Sequence, residues 1–287
     1  MEQMEAKFNR KFKYPWVLLN EAEFTADFKR RVRVLTDAPV SFGLIPSDHW
    51  FQPDWIDENR AREGRDRLVR QNIIYGGDYR NMCRFNSGFF YRHELLQPYK
   101  WYWRVEPDVR YFCDVDRDPF LFMEDNNKLY GFTISMPEWE PTIPTLWSSV
   151  KEFLAQNPQY LHPDNSMDFL SDNAGDTFNL CHFWSNFEIA DMDFWRSEAY
   201  TKFFDFLEEK GGFYYERWGD APIHSIAVSL FASKNQIHFF KDIGYRHSPF
   251  QHCPQGKDWR AGHCSCDPND NFDFAQNSCL RHFMRLD

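Results

Sequence analysis

The sequence holds no run of about eighteen apolar residues, the length that spans a bilayer, and its opening stretch MEQMEAKFNRKFKYP has none of the apolar core of a secretory signal. On those grounds the chain is expected to be soluble as it stands, attached to a membrane only through an anchor outside it. No long basic run is present either, and 43 acidic against 33 basic residues leave a formal net charge of -10 at pH 7. A nucleic-acid or anionic-membrane partner therefore has no electrostatic footprint. Also missing are the phosphate-cradling Walker loop, the GxSxG elbow and the GxGxxG turn, which removes the commonest NTPase, hydrolase and dehydrogenase readings. No linker, repeat or low-complexity segment interrupts the chain before its cysteine-rich end.

What is present is aromatic. Phe, Tyr and Trp make up 19% of the 287 residues. Most such rings fill cores, but Trp and Tyr also stack on sugars and bases, so the excess suits a carbohydrate or nucleotide site. A chain this acidic that had to bind an anionic phosphodonor would recruit a divalent cation. The seven cysteines are 83, 113, 181, 253, 264, 266 and 279, the last four crowded beside His252, His263 and His282. Zinc is one reading of that cluster. Cys-x-Cys at 264 and 266 is not the usual zinc knuckle, however, and disulfides stapling a loop-rich tail fit better, with the odd total leaving a thiol unpaired. The expected organisation is one domain over residues 1–247 with a Cys-rich tail, residues 248–287, packed on it.

Short apolar strands are expected at 14–20, 41–45, 101–105, 109–115, 130–136 and 237–244, and helices at 54–71, 145–156, 197–212 and 221–233. Strands alternating with helices argue for an α/β fold with a sheet covered on both faces. Ligands gather at the carboxyl ends of strands in such sheets, and WYWRVEPDV (101–109) puts Glu106 and Asp108 at one. Pro107 ends a ladder, so an ordinary acidic turn explains the pair; a metal site explains it as well, because hard cations prefer rigidly held carboxylates.

Four more stretches set polar residues among apolar ones. YGGDYRNMCRFNSGFF (75–90) reads as a Gly-punctuated loop, ordinary or gripping a charged ligand. Glu188 in CHFWSNFEIA needs a partner, whether a structural Arg or Tyr or a substrate's charge, because an unpaired buried carboxylate is costly. Asp220 in ERWGDAPIHS precedes a helix, where N-capping alone would explain it. His247 in GYRHSPF stands just past a strand, a place where a structural role is commoner than ligation unless an acid lies nearby.

Taken together, WYWRVEPDVRYFCD, YRNMCRFNSGFF, PTLWSSVKEF, NSMDFLSDNAGDTFNLCHFWSNFEIA, GGFYYERWGDAPIHSIA and IHFFKDIGYRHSPFQHCP resemble, in order, glycosyltransferase family 15, the fungal α-1,2-mannosyltransferases. The resemblance runs from about residue 8 to residue 280. It implies a GT-A-like fold with a mixed central sheet flanked by helices, GDP-mannose as donor, Mn2+ as cofactor, a mannose-terminated glycoprotein glycan as acceptor, retention of anomeric configuration, and a Golgi setting. By the matching motifs Glu106 and His247 would hold the metal. Glu188 would be the nucleophile or the stabiliser of the oxocarbenium-like centre, Tyr79 would stand near the reacting sugar, and Asp220 would handle the acceptor hydroxyl. Arg84, Ser87, Asp108 and Trp218 are expected near donor or substrate, with Asp108 supporting its turn. Set against the family pattern, the chain starts after the anchor, the stem and the first strand and helix of the nucleotide-binding half. A relative that binds glycan or a partner enzyme without catalysis is the alternative.

Overall fold

The computed structural model describes residues 1–73 and 76–286; Tyr75, the first residue of the stretch 75–90, lies outside them. Strands β1 (Trp16–Asn20) and β2 (Val40–Leu44) pair in parallel, and the Ala26–Val34 helix crosses between them. Thr25 starts that helix by accepting the Phe28 N–H on its side chain. A mixed four-stranded sheet has the order β3 (Trp101–Val105), β8 (Phe187–Asp191), β5 (Tyr130–Phe132), β9 (Ile237–Phe239), with β5 and β9 parallel and the other pairs antiparallel. Beside it, β6 (Ser135–Pro137) pairs with β7 (Cys181–Phe183), and β10 (Tyr245–His247) runs between β4 (Arg110–Tyr111) and β11 (Phe250–His252).

The main core joins the four-stranded sheet to the helices through Tyr130, Phe132, Phe183, Trp195, Tyr200 and Phe203. Deepest among the helices is Asp220–Phe231, in which ten of twelve residues are buried. That burial explains a sequence apolar on nearly every face, and it makes Asp220, His224, Ser225 and Ser229 conspicuous. The Glu198–Lys210 helix begins at a Ser197 cap and ends at Gly211 in the left-handed region, as its sequence predicts.

Five expectations need correction. The stretch 75–90 is not a loop: residues Gly77–Gly88 are a helix whose glycines stand at its ends. Gly88 is there for close approach, since a Cβ would fall 1.9 Å from the Phe204 ring of the neighbouring helix. The single strand expected at 130–136 is two strands in different sheets. Those expected at 109–115 and 237–244 shorten to Arg110–Tyr111 and Ile237–Phe239; beyond Tyr111 the chain bonds irregular partners, with Phe112 N on Gly244 O and Asp114 N on Gly262 O. His247 stands not past a strand but as the last residue of β10.

Disulfides, not zinc, account for the cysteines. Cys113–Cys264 and Cys181–Cys279 tie the tail to the body, Cys253–Cys266 closes a loop inside it, and Cys83 is free and buried. Alkylation of the unfolded, unreduced protein should label one thiol of the seven. Cys181 and Cys279 are 98 residues apart, and releasing a loop of that length costs about 5 kcal/mol in loop entropy. Replacing both with Ser is expected to lower unfolding free energy in urea by about that amount; a loss under about 1 kcal/mol would count against the bond's stabilising role.

Candidate active site

The site forms where the Asp220–Phe231 helix lies on the sheet. Antiparallel register sets Arg104 of β3 opposite Glu188 of β8, and Asp220 and His224, one turn apart, share a face of the helix. Arg104 Nη1 bonds Asp220 Oδ2 at 2.5 Å, while its Nε (2.7 Å) and Nη2 (2.5 Å) both meet Glu106 Oε1. One guanidinium thus bridges the acid at the end of β3 and the acid at the start of the helix. Ser185 Oγ adds a donor to Asp220 Oδ2 at 2.7 Å. Gly219, not Asp220, occupies the N-cap position, so the capping explanation of Asp220 is corrected: its carboxylate serves Arg104 and Ser185.

Burial would raise the Asp220 pKa, but Arg104, His224 and Ser185 outweigh it and hold the group below its ordinary 3.8. Burial likewise opposes the charge on Arg104, yet Glu106, Asp220 and Glu188 win and raise its pKa well above the usual. The stabilisation from Asp220 is therefore complete above pH 3.8 and is lost only as pH falls through its lower folded-state value.

Glu188 is 1% exposed and has three polar partners: Tyr102 Oη donates to Oε1 at 2.7 Å, Tyr130 Oη to Oε2 at 3.0 Å, and His224 Nδ1 lies 3.0 Å from Oε2. Both phenols have pKa values raised by burial first and by the Glu188 charge next, so they remain donors. The partner expected for this carboxylate is thus two tyrosines and a histidine.

Glu106 leads into a turn in which exposed Asp108 adopts a left-handed φ of 60°, a conformation Asp tolerates. The Glu106 charge contributes to the raised pKa values of Tyr111 and Tyr245 after burial, which sets the carboxylate near β4 and β10. His247 lies two residues beyond Tyr245 on the same face of β10. Its ring meets Trp184 edge-on at 5.0 Å, and its buried Nδ1 has no hydrogen-bond partner. The turn between β7 and β8 links these groups: Trp184 touches His247, Ser185 bonds Asp220, and Asn186 accepts from Tyr245 Oη at 2.8 Å. Among the described residues no three His, Cys, Asp or Glu side chains form a metal cluster.

Tyr79, on the Gly77–Gly88 helix, lies under the Arg217 guanidinium at 5.3 Å, and Arg217 is paired with Glu138 at 3.1 Å. Cys83 and burial push the Tyr79 pKa up. Arg84 pairs with Glu208 at 2.7 Å and reaches the carbonyls of Asp48 and Phe51, and Ser87 Oγ donates to Cys83 O. Trp218 is buried, with Nε1 on Glu216 Oε2 at 2.6 Å. Arg84, Ser87 and Trp218 are thus each engaged by groups of the protein itself.

Sequence reasoning passes over Arg104, His224, Tyr102 and Tyr130. A signal exists for two of them: Arg104 is a charge inside an aromatic strand, and His224 follows Asp220 by four residues in an otherwise apolar helix. Arg104→Met strips the cation from two largely buried acids. Its expected cost is about 3–5 kcal/mol, measured by urea denaturation; a loss under about 1 kcal/mol would show that Asp220 does not depend on the pair.

Comparison with known proteins gives the chain its relatives. A glycolipid 2-alpha-mannosyltransferase 2 from Candida albicans is 55% identical over 287 residues, 99% of this chain, and the chain spans 62% of that protein's length. The alpha-1,2 mannosyltransferase KTR1 of Saccharomyces cerevisiae is 50% identical across 100% of the chain and 74% of its own length. Among solved structures, core-mannan synthase A (CmsA/Ktr4) of Aspergillus fumigatus in a Mn/GDP form superposes with a TM-score of 0.93 at 44% identity, covering 99% of this chain and 79% of the other. The S. cerevisiae mannosyltransferase Ktr4p in complex with GDP gives 0.94 at 42%, covering 99% and 76%. These likenesses fit the α/β, GT-A-like expectation. The pattern of the glycolipid 2-alpha-mannosyltransferase family matches residues 1–287, and the chain belongs to that family.

Proposed function

We propose that this chain carries the catalytic machinery of a retaining α-1,2-mannosyltransferase. In this reading mannose passes from GDP-mannose to a mannose-terminated glycan, N- or O-linked, on a glycoprotein such as a cell-wall mannoprotein. The observation that carries the reading is the buried array in which Arg104 bridges Glu106 and Asp220 while Glu188 sits beside it, bonded to Tyr102, Tyr130 and His224. Two solved relatives with TM-scores above 0.9 hold GDP, one of them with Mn, which supports the same donor chemistry here.

Glu106 and His247 fit a Mn2+ site: a carboxylate and an imidazole are ligands this ion accepts, and the unpartnered Nδ1 of His247 is a buried nitrogen in want of a partner. Bound there, the ion would offset negative charge forming on the departing diphosphate. Glu188 would face the positive charge growing at the transferred carbon, and Asp220, kept ionised by Arg104, would receive the acceptor hydroxyl's hydrogen bond. Tyr79 would line the donor sugar. Asp108 would support the turn that aims Glu106, and Arg84, Ser87 and Trp218 would stand near donor or substrate, held by their bonds to Glu208, Cys83 and Glu216.

The Cys-rich residues 248–287 are read as part of the same domain, because two disulfides bind them to it. The setting would be the Golgi lumen; no helix among the described residues is long and apolar enough to cross a membrane. The test is calorimetric titration of GDP with and without Mn2+, followed by a transfer assay with GDP-mannose and an α-mannoside. Metal-dependent binding with transfer supports the enzyme. Absence of both in a folded chain would overturn it in favour of a non-catalytic, glycan- or partner-binding relative.

A further inference from the structure

His224 is as buried as any side chain in the molecule, and both of its ring nitrogens are engaged. Nε2 stands 3.0 Å from the Asn86 carbonyl, which can only accept, so this nitrogen carries a hydrogen. Nδ1 stands 3.0 Å from Glu188 Oε2, a contact that also requires a proton between the two atoms. Whose proton it is follows from the other donors. Tyr102 Oη accepts from Trp195 Nε1 at 3.1 Å, so its own hydrogen points to Glu188 Oε1; Tyr130 Oη supplies another to Oε2. A carboxyl taking a phenolic donor on each oxygen behaves as an anion.

We propose that His224 is a doubly protonated positioning residue that keeps Glu188 anionic and fixed in orientation for mannosyl transfer, an inference that rests on the transfer reading above. The histidine ring is locked for this task. It stacks on Trp195 at 4.2 Å with planes 24° apart, and Trp195 in turn fixes Tyr102, so one indole orients two of the three donors on Glu188. The charged and titratable groups around the pair are Tyr102 and Arg104 on β3, Tyr130 on β5, Tyr200 on the Glu198–Lys210 helix, and Asp220 one turn before His224. Asp220 is balanced by Arg104, which leaves the His224 proton to balance Glu188. A net-neutral ion pair can be buried where a lone carboxylate could not, and its carboxylate end can still be turned toward a cationic centre forming beside it.

The test has two arms. In the whole chain, His224→Phe keeps a flat ring against Trp195 but removes the donor; kcat for transfer from GDP-mannose should fall at least about 100-fold with GDP affinity within about twofold of wild type. His224→Asn, which places a neutral N–H near the position of Nδ1, should recover at least about tenfold of that loss. A His224→Phe enzyme with more than half the wild-type kcat would overturn the proposal, as would an Asn variant no better than a folded Phe variant. The second arm needs no variant: nitrogen-15 spectra of the histidine-labelled wild-type protein at neutral pH should show both ring nitrogens of His224 protonated. A bare Nδ1 would overturn the proposal even if the Phe variant failed to fold. Wild-type protein that binds GDP without transferring mannose would sink the transfer reading and the catalytic role with it, and the spectra would then decide the proton assignment by themselves.

Discussion

Glu188→Gln should abolish transfer while sparing donor binding. The substitution keeps shape and removes charge, yet its geometry makes it worse than a neutral replacement. Oε1 accepts from Tyr102 and Oε2 from Tyr130, with His224 alongside. A glutamine has one accepting oxygen, so one orientation sets its NH2 group against the His224 N–H and the other makes the Tyr102 hydroxyl give up its donation. A mispaired buried donor costs about 1–3 kcal/mol, so some loss of thermal stability accompanies the variant. The larger effect falls on the reaction. If the carboxylate charge faces the developing positive centre, its removal lowers kcat by a factor on the order of 10^3, equal to about 4 kcal/mol of barrier. Initial rates with GDP-mannose, Mn2+ and an α-mannoside measure this, and GDP titration reports on the donor site separately. A variant within tenfold of wild type would remove Glu188 from the chemistry.

The difference between what the sequence displays and what it hides is one of distance along the chain. Local signals mark some elements well: Ser197 caps the helix expected from 197, and WYWRV is a strand leading to Glu106, whereas the helix expected from 54 starts only after Asp57 and the Thr25-capped helix Ala26–Val34 lies outside the expected set. Glycine misleads at 77–88, because Gly77 and Gly88 resemble loop punctuation while the residues between them wind into a helix. The break between β5 and β6 has no residue to announce it; the two strands choose different partners, β8 and β6's own neighbour β7. For the site, Glu106, Glu188, Asp220 and His247 each stand out as polar residues in odd company, and the family resemblance names them. Nothing local connects them. Arg104 reaches Asp220 across 116 positions, and Glu188 meets Tyr102 across 86, so the pairing exists only once the sheet and the buried helix are packed. That is why the bridging Arg104 and the supporting His224 escape a reading by motif.

Glu106→Gln and His247→Ala are each expected to abolish the dependence of GDP binding on Mn2+. Two protein groups are few for a metal site, and with no third His, Cys, Asp or Glu clustered among the described residues, neither loss can be covered by a neighbour. A hard cation bound to one carboxylate and one imidazole loses its charged ligand in the first variant and its nitrogen in the second. Affinity for GDP in the presence of Mn2+ should fall about 100-fold in each, or about 2.7 kcal/mol, toward the value that the wild type shows in a chelator. The fold should survive, for a reason visible in the structure. Arg104 loses Glu106 as a charged partner but keeps Asp220 at 2.5 Å, so no buried cation is stranded; His247 makes no hydrogen bond through its buried Nδ1 that alanine would forfeit. Calorimetry of GDP with and without the ion, alongside thermal unfolding, separates the two effects. Metal-dependent binding that persists unchanged in both variants would move the ion elsewhere. Loss of binding together with a large drop in melting temperature would instead assign Glu106 to the scaffold through Arg104.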